Sequence, residues 1–383
     1  MSKKNLATIA VRGGIESDGQ YNAVVPPIYL SSTYAFEGFN QKGPYDYSRC
    51  GNPSRDILAN TLAELEHGAH GVVTATGTAA IHLVCQLLRP DDLLVVPHDC
   101  YGGSYRLFVN LAQRGAFKLQ VINQTNQQEL DAAFAAKPKV IWVETPSNPL
   151  LRISDLSDIC ARAKQTETLV AVDNTFLSPV FQQPLTLGAD IVVHSTTKYI
   201  NGHSDVVGGV VVTKTKELGE ELAWWANCIG ITGSAFDSYM TLRGVRTLVP
   251  RMKQHQENSL ALVDVLKDHP AVDKVYHPSL PSHPGHEIAK KQQHGFGAML
   301  SFELKGTTDE VTRFIDKLEH FSLAESLGGT ESLVCHPSTM THAAMDEAAQ
   351  LKAGITQTLV RFSVGIEDSS ELVADVKQAL DAL

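Results

Sequence analysis

Two residues with complementary chemistry follow separate apolar segments of the sequence. Asp173 ends the apolar run 169–173, and Lys198 lies shortly after the run 191–194. If both runs are adjacent strands of one sheet, a carboxylate and an amine could face opposite sides of a flat ligand. Pyridoxal phosphate (PLP) needs both groups, because a lysine condenses with its aldehyde and a carboxylate keeps its ring nitrogen protonated. Either residue alone would be interpreted as a solvated lysine or a turn-forming aspartate, so the hypothesis depends on the pair.

A phosphate-binding turn is predicted next to this pair. Gly77 and Thr78 lie in a turn of small residues that leads into the apolar helical stretch 79–88. The free backbone amides at the start of a helix bind anions. Ser195 and Thr197 add two hydroxyls that could reach the same phosphate. The sequence has neither a dinucleotide-type glycine motif nor a Walker loop at this turn, which disfavours a nucleotide-dependent oxidoreductase.

The elements that must position these residues are short apolar runs rich in β-branched side chains. The runs are 71–74, 93–97, 140–144, 169–173, 191–194 and 209–213. Runs that are apolar on both faces are typical of strands buried in a parallel sheet, and stretches such as 154–164 have the length of crossover helices. The pattern predicts a doubly wound α/β domain with its ligand beyond the carboxyl ends of the strands. Tyr101 follows the second run on a glycine-containing loop; it could stack on a planar ring or be an ordinary packed aromatic.

The chain divides into three predicted parts. Residues 1–56 combine turn formers with many aromatics and predict an ordered N-terminal arm that reaches another subunit. Residues 57–250 form the predicted PLP-binding α/β domain, and 251–383 a smaller C-terminal α+β domain. The last part is expected to open with a helix over 251–268 and to end with a helix that begins after Asp368.

Composition argues against several other classes of protein. With 43% hydrophobic and 19% charged residues, the 383-residue chain has the balance of an ordinary soluble protein. Its net charge of −10 and scattered basic residues disfavour nucleic-acid binding. No apolar run reaches the roughly 18 residues of a membrane span, and the N-terminus does not resemble a secretory signal, so a cytoplasmic location is expected. The six cysteines are widely spaced and the histidine pairs lack partner ligands, so neither disulfides nor a metal are expected.

Several motifs together resemble the Cys/Met-metabolism family of fold-type I PLP enzymes. They occur in family order along essentially the whole chain, at 45–54, 76–80, 98–103, 144–149, 173–176, 194–199 and 324–329. The resemblance implies a mainly parallel, doubly wound sheet domain with an N-terminal arm and a smaller α+β domain. It also implies a homotetramer, in which Tyr47 and Arg49 of the arm contact the phosphate in the neighbouring subunit.

The resemblance assigns a role to each candidate site residue. Lys198 would bind the PLP aldehyde and move protons, Asp173 would pair with the ring nitrogen, and Tyr101 would stack on the ring. The implied cofactor contacts are Tyr47, Arg49, Gly77, Thr78, Tyr101, Asn148, Asp173, Ser195, Thr197 and Lys198. The implied substrate contacts are Ser326 and Arg361 for the α-carboxylate, with Glu325, Asp46 and Arg106 toward the distal end. A bidentate guanidinium suits the carboxylate role of Arg361, although an arginine after a strand could equally be a surface residue.

Two positions narrow the expected reaction. Glu325 resembles an acid found in family members that handle cystathionine, and Gly103 stands where methionine γ-lyases carry a cysteine. The resemblance is nearest to bacterial cystathionine γ-synthases, which implies γ-replacement of an O-acylhomoserine, expected to be the succinyl ester, by cysteine. A cystathionine γ-lyase, an O-acylhomoserine sulfhydrylase and a non-catalytic binding protein remain alternatives, because one fold supports several reactions.

Overall fold

The structure is a computed structural model that describes residues 4–343 and 347–383. Its strands are β1 His70–Thr74, β2 Leu93–Pro97, β3 Lys118–Ile122, β4 Val140–Glu144, β5 Leu169–Asp173, β6 Ile191–Ser195, β7 Gly209–Thr213, β8 Val272–Tyr276, β9 Met299–Leu304, β10 Phe321–Leu323, β11 Ser332–Cys335 and β12 Leu359–Ser363. Its helices are α1 Leu6–Arg12, α2 Pro53–Leu65, α3 Gly77–Cys85, α4 Gly102–Gln113, α5 Gln127–Ala135, α6 Leu156–Thr166, α7 Ser178–Phe181, α8 Pro184–Leu187, α9 Lys216–Ile229, α10 Ala235–Val245, α11 Leu248–Leu266, α12 His286–Gln292, α13 Thr308–Lys317, α14 Glu347–Ala353 and α15 Ser369–Asp381.

The first seven strands form one sheet in the order β1-β7-β6-β5-β4-β2-β3. All six predicted apolar runs are strands of this sheet, and β4 and β7 are buried along their whole length. The pairs β2–β3, β2–β4, β4–β5 and β5–β6 are parallel, as predicted. Strand β7, in contrast, runs antiparallel to both of its neighbours, β1 and β6. An apolar run carries no information on strand direction, because a strand buried on both faces looks the same in either orientation.

Helices cover both faces of this sheet, which confirms the doubly wound α/β class. One buried cluster joins α2 and α6 to one face, and a second joins α3, α4 and α9 to the other. The direction in which successive strands are added to the sheet changes between β2 and β4. Strand β3 lies beside β2 at one edge, whereas β5 and β6 lie beyond β4 on the other side. A crevice forms where strand order diverges in this way, at the carboxyl ends of the strands.

The second sheet has the order β10-β11-β12-β9-β8 and belongs to the smaller α+β part. Helices α11, α13 and α15 pack on it around a cluster of stacked and edge-to-face aromatics. The helix predicted over 251–268 begins three residues earlier, at Leu248. Pro250 is tolerated there, because amides in the first helical turn have no intrahelical acceptor to lose. The last helix begins as predicted, with the Asp368 side chain accepting the amides of Ser370 and Glu371.

Before α2 begins, the described part of the N-terminal arm contains the helix α1, which packs against α2 and α11. The rest of the described arm is extended or turned and leaves large apolar side chains such as Leu30, Phe36 and Phe39 exposed. The predicted boundaries at 56/57 and 250/251 fall inside α2 and α11, and the three-part division stays a proposal. Across residues 4–343 and 347–383, no helix combines the length and apolar character needed to cross a membrane.

Candidate active site

A cavity of about 1230 Å³ lies at the carboxyl ends of β2, β4, β5 and β6 and extends to the smaller sheet. This volume exceeds the roughly 300–1,000 Å³ of common ligand pockets and leaves room for a cofactor and an amino-acid substrate together. Twelve of the fifteen predicted site residues line it: Gly77, Thr78, Tyr101, Arg106, Asn148, Asp173, Ser195, Thr197, Lys198, Glu325, Ser326 and Arg361.

Lys198 lies just after β6, and its side chain reaches across the cavity toward the smaller domain. Its Nζ donates a hydrogen bond to Ser326 Oγ over 2.6 Å. Burial, and then the positive charge of Arg361, lower the pKa of the Lys198 amine from 10.5 to about 8, although the negative charge of Glu325 opposes the shift. Far more of the amine than of an ordinary lysine is therefore neutral near neutral pH, and the neutral amine is the form that attacks an aldehyde or accepts a proton.

Asp173 ends β5 and presents its carboxylate to the cavity. Its Oδ1 accepts the Thr175 amide over 3.0 Å. Burial raises the pKa of Asp173, while hydrogen bonds from Thr175 and the charge of His194 counteract that rise. A partly buried carboxylate held in this way can pair with a protonated ring nitrogen.

The start of α3 forms an anion-binding cradle. The Thr76 side chain accepts the Ala79 amide over 2.9 Å, and the preceding amides of Gly77 and Thr78 have no helical acceptor. Gly77 packs so closely on β6 that a Cβ there would lie only 2.7 Å from Ser195 Cβ. Free amides beside the Ser195 hydroxyl therefore suit a phosphate group.

Tyr101 opens α4 at the mouth of the cavity, where it is 44% exposed. Its backbone amide donates to Glu144 Oε2 over 2.8 Å, which fixes the main chain that carries the ring. A Cβ at Gly103 would lie 2.4 Å from Tyr101 Cε1. Because Gly103 has no side chain, the Tyr101 ring can pack against the start of α4 without a clash.

Arg361 belongs to β12 and is only 3% exposed, so it is not the surface arginine that the sequence left possible. Its Nη1 donates to Asn148 Oδ1 and its Nη2 to the Ser326 carbonyl, both over 2.9 Å. The buried Nε finds no acceptor in the described part of the chain. Ser326 adopts φ +89°, a costly conformation for a residue with a side chain, and so offers its hydroxyl to Lys198 while its carbonyl accepts from Arg361. The Arg361 Nε–H, which has no acceptor among the described residues, suits a carboxylate ligand.

Three predicted residues do not line this cavity. Arg49 Nη1 donates to the carbonyl and side-chain oxygens of Asn227, over 2.8 and 2.5 Å. Tyr47 is close to half exposed beside Arg49, and Asp46 pairs with Lys42 over 2.9 Å. A single chain therefore does not bring these arm residues together with the other twelve.

Sequence reasoning assigned no role to two further cavity residues. Glu144 lies in a motif that was noticed, but only the structure shows its bond to the Tyr101 amide. His342 is buried at the cavity, where burial and then the charge of Arg361 lower its pKa to about 4 and keep it neutral. His342 lies in an irregular segment after β11, so no periodicity pointed to it. Within the described residues, no cluster of three or more histidine, cysteine or acidic side chains is arranged to hold a metal ion.

The cavity fits PLP on the chemistry of its side chains. A neutral amine suits the aldehyde, the partly buried carboxylate of Asp173 suits the ring nitrogen, and the α3 cradle suits the phosphate. Arg361, with its unpaired Nε, can hold the carboxylate of an amino acid close to Lys198.

Known proteins of the same architecture agree with this interpretation. Cystathionine γ-synthase from Escherichia coli K12 is 58% identical over 383 residues, covering 100% of this chain and 99% of that protein. Cystathionine β-lyase from Coxiella burnetii is 46% identical over 380 residues, covering 99% and 98%. The crystal structure of cystathionine γ-synthase from Xanthomonas oryzae pv. oryzae in complex with cystathionine superposes with a TM-score of 0.98 at 55% identity, covering 99% and 98%.

A sequence model of one enzyme family matches nearly the whole chain, from residue 7 to residue 381. That family is described as Cys/Met metabolism PLP-dependent enzymes, so the predicted family, fold class and cofactor are all confirmed. The chain belongs to the Cys/Met metabolism family of PLP-dependent enzymes.

Proposed function

We propose that this enzyme joins L-cysteine to an O-acyl-L-homoserine, preferably O-succinyl-L-homoserine, to give L-cystathionine and the free acid. The observation that carries the proposal is the position of Lys198 Nζ, 2.6 Å from Ser326 Oγ, beside an arginine with a free buried donor. This arrangement puts a proton-accepting amine next to a carboxylate site. The high similarity to cystathionine γ-synthases over full length supports this member of the family.

In the proposed mechanism, the residues of the chain hold the substrate and move its protons. Arg361 binds the α-carboxylate and places Cα next to Lys198. Bound PLP supplies an electron sink for the substrate carbons, and Asp173 keeps that sink effective by holding the ring nitrogen protonated. Lys198 accepts the Cα proton and then assists loss of a Cβ proton. The Cγ–O bond breaks and the acyloxy group leaves as a carboxylate. The cysteine thiolate forms the new C–S bond at Cγ, and Lys198 returns the protons.

Two charged residues toward the open side of the cavity are proposed to select the substrates. Arg106 projects from α4 into the cavity and forms no ion pair with any described residue. A succinyl ester carries a distal carboxylate that could pair with it, whereas an acetyl ester does not. Glu325 lines the same cavity and suits the ammonium group of cysteine or the distal ammonium of cystathionine.

The same proposal extends to assembly and location. Tyr47 and Arg49 lie outside the cavity of their own chain, which supports their contributing to the phosphate site of a neighbour in a homotetramer. The exposed aromatic side chains of the arm offer apolar area for that contact. Asp46 would then approach the distal end of the neighbour's substrate.

A cytoplasmic location is proposed because the six cysteines are free and the second substrate must stay a reduced thiol.

The second candidate is a lyase that cleaves cystathionine. It is favoured by the 46% identity to a cystathionine β-lyase over nearly the full length of both chains. A γ-lyase would use the same Lys198, Asp173 and Arg361, so geometry alone does not separate it from the synthase. An O-acylhomoserine sulfhydrylase would use sulfide in place of cysteine.

A paired assay on the PLP-loaded enzyme tests the proposal. One reaction contains O-succinylhomoserine with or without cysteine, with O-acetylhomoserine and sulfide as alternative substrates, and the other contains cystathionine alone. Mass spectrometry of the products should show cystathionine and succinate from the first reaction and little breakdown in the second. Faster cleavage of cystathionine than its synthesis would refute the proposed function and favour the lyase.

A further inference from the structure

Glu144 is a buried acid at the edge of the cavity that the proposed mechanism does not use. It is the last residue of β4, is 6% exposed and lines the cavity. Burial of an acidic side chain is costly unless the group is paired or neutral. The groups around Glu144 therefore indicate whether its carboxyl is charged or neutral.

The nearest ionisable group on the neighbouring strand is another acid. In the register of β4 and β5, Glu144 lies directly opposite Asp173. A third acid, Asp99, contributes negative charge at Glu144, but its own carboxylate is paired with Arg152 over 2.9 Å. Like charges on directly opposed residues destabilise a sheet, and two neighbouring carboxylates cannot easily both ionise. One of Glu144 and Asp173 is therefore expected to keep its proton.

The two acids differ in the groups that stabilise a negative charge. Asp173 accepts hydrogen bonds from Thr175 and feels the charge of His194. For Glu144, burial and the negative charges of Asp173 and Asp99 raise the pKa well above its usual range, and hydrogen bonds from the Tyr101 and Asn148 backbone amides oppose the rise. The positive groups across the cavity, Lys198 and Arg361, point to Ser326 and the carboxylate site instead. Glu144 is thus the better holder of the proton.

Glu144 also connects two loops that border the cavity. Its Oε2 accepts the Tyr101 amide over 2.8 Å, and the backbone amide of Asn148 acts on the same carboxyl. One loop carries the stacking ring, and the other carries the amide oxygen that binds Arg361. An uncharged carboxyl can still accept a hydrogen bond from an amide N–H, so this connection does not require Glu144 to be ionised.

We propose that Glu144 is a positioning residue that acts as a neutral acid, anchoring the main chain of Tyr101 over the cofactor and leaving Asp173 as the ionised partner of the ring nitrogen. This role rests on the proposed cofactor site. It assigns the two carboxyls different tasks: Asp173 touches the cofactor, and Glu144 acts through Tyr101.

The test compares Glu144→Gln with Glu144→Ala in titrations of the apoenzyme with PLP. Glutamine is neutral and keeps an oxygen that can accept the Tyr101 amide, so the dissociation constant should stay within about 3-fold of wild type. Alanine removes the acceptor, and loss of a buried acceptor should weaken PLP binding by about 10- to 100-fold. The visible circular dichroism of bound PLP should be kept by glutamine and reduced by alanine.

A second pair of variants asks whether Glu144 works through Tyr101. In a Tyr101→Ala background, the further change Glu144→Ala should alter PLP affinity by less than about 3-fold, as expected for coupled residues. Glutamine as harmful as alanine would show that the charge of Glu144 is required and would overturn the proposal. A full alanine effect in the Tyr101→Ala background would also overturn it. If the wild-type chain failed to bind PLP, the proposed function itself would fail, and this role with it.

Discussion

Lys198 should react with the PLP aldehyde at a pH well below that of an ordinary lysine. Burial and the charge of Arg361 lower its pKa from 10.5 to about 8. At pH 7.5, about one quarter of the Lys198 side chains would be neutral, against about one in a thousand for an unperturbed lysine, a difference of about 240-fold. Because the neutral amine is the nucleophile, the rate should rise with pH up to about 8 and then level off.

The assay is the rate of PLP incorporation into the apoenzyme, followed by visible absorbance between about pH 6 and pH 10. Reaction of PLP with lysine acetylated at its α-amino group, so that only the side-chain amine can react, is measured in the same buffers. It corrects for titration of PLP itself. Borohydride reduction followed by peptide mass spectrometry should locate the cofactor on Lys198. Lys198→Ala is the control that should give no reduced adduct.

A matched variant tests the electrostatic reasoning. The negative charge of Glu325 raises the pKa of Lys198, so Glu325→Gln should move the midpoint of the pH profile downward. A wild-type midpoint near 10.5, or a midpoint that moves upward in Glu325→Gln, would refute the electrostatic account of Lys198.

Three further substitutions test other parts of the site. Arg361→Lys removes the bidentate donor and should lower kcat/KM for the ester by about 30- to 150-fold, or about 2–3 kcal/mol, mainly through KM; an unchanged KM would contradict carboxylate binding. Gly77→Ala puts a Cβ 2.7 Å from Ser195 Cβ, and this overpacking of about 1–3 kcal/mol should weaken PLP binding in apoenzyme titrations; wild-type affinity would refute the cradle. Gly103→Cys should displace the Tyr101 ring and lower the visible circular dichroism of bound PLP, with Gly19→Cys, whose Cβ would meet nothing within 4 Å, as the surface control. An unchanged spectrum would show that the ring does not depend on position 103.

Strands that are apolar on both faces were predictable from sequence, whereas the edge strand β3 and the antiparallel direction of β7 were not. β4 is buried along its whole length and β5 at its three central residues, and both strands were predicted to the residue. β3 was missed, because this edge strand alternates polar and apolar residues and buries only its last residue fully. The antiparallel direction of β7 follows from its pairing with β1 and β6, which depends on contacts distant in sequence.

The candidate site was predictable where its residues directly follow a strand. Asp173 ends β5 and Lys198 follows its parallel neighbour β6, so their meeting follows from the topology of the sheet. Ser326 and Arg361 come from the smaller domain, and only the family resemblance pointed to them. The opposition of Glu144 and Asp173 depends on strand register, which no local pattern reveals.

The measurement that most directly tests the central claim is γ-replacement carried out in deuterium oxide. If Lys198 removes and returns protons at Cα and Cβ, cystathionine formed from O-succinylhomoserine and cysteine should carry deuterium at both carbons. Mass spectrometry and proton NMR of the product distinguish the two positions. Cystathionine without deuterium would mean that cysteine displaces the acyl group directly at Cγ, and it would contradict the role assigned to Lys198.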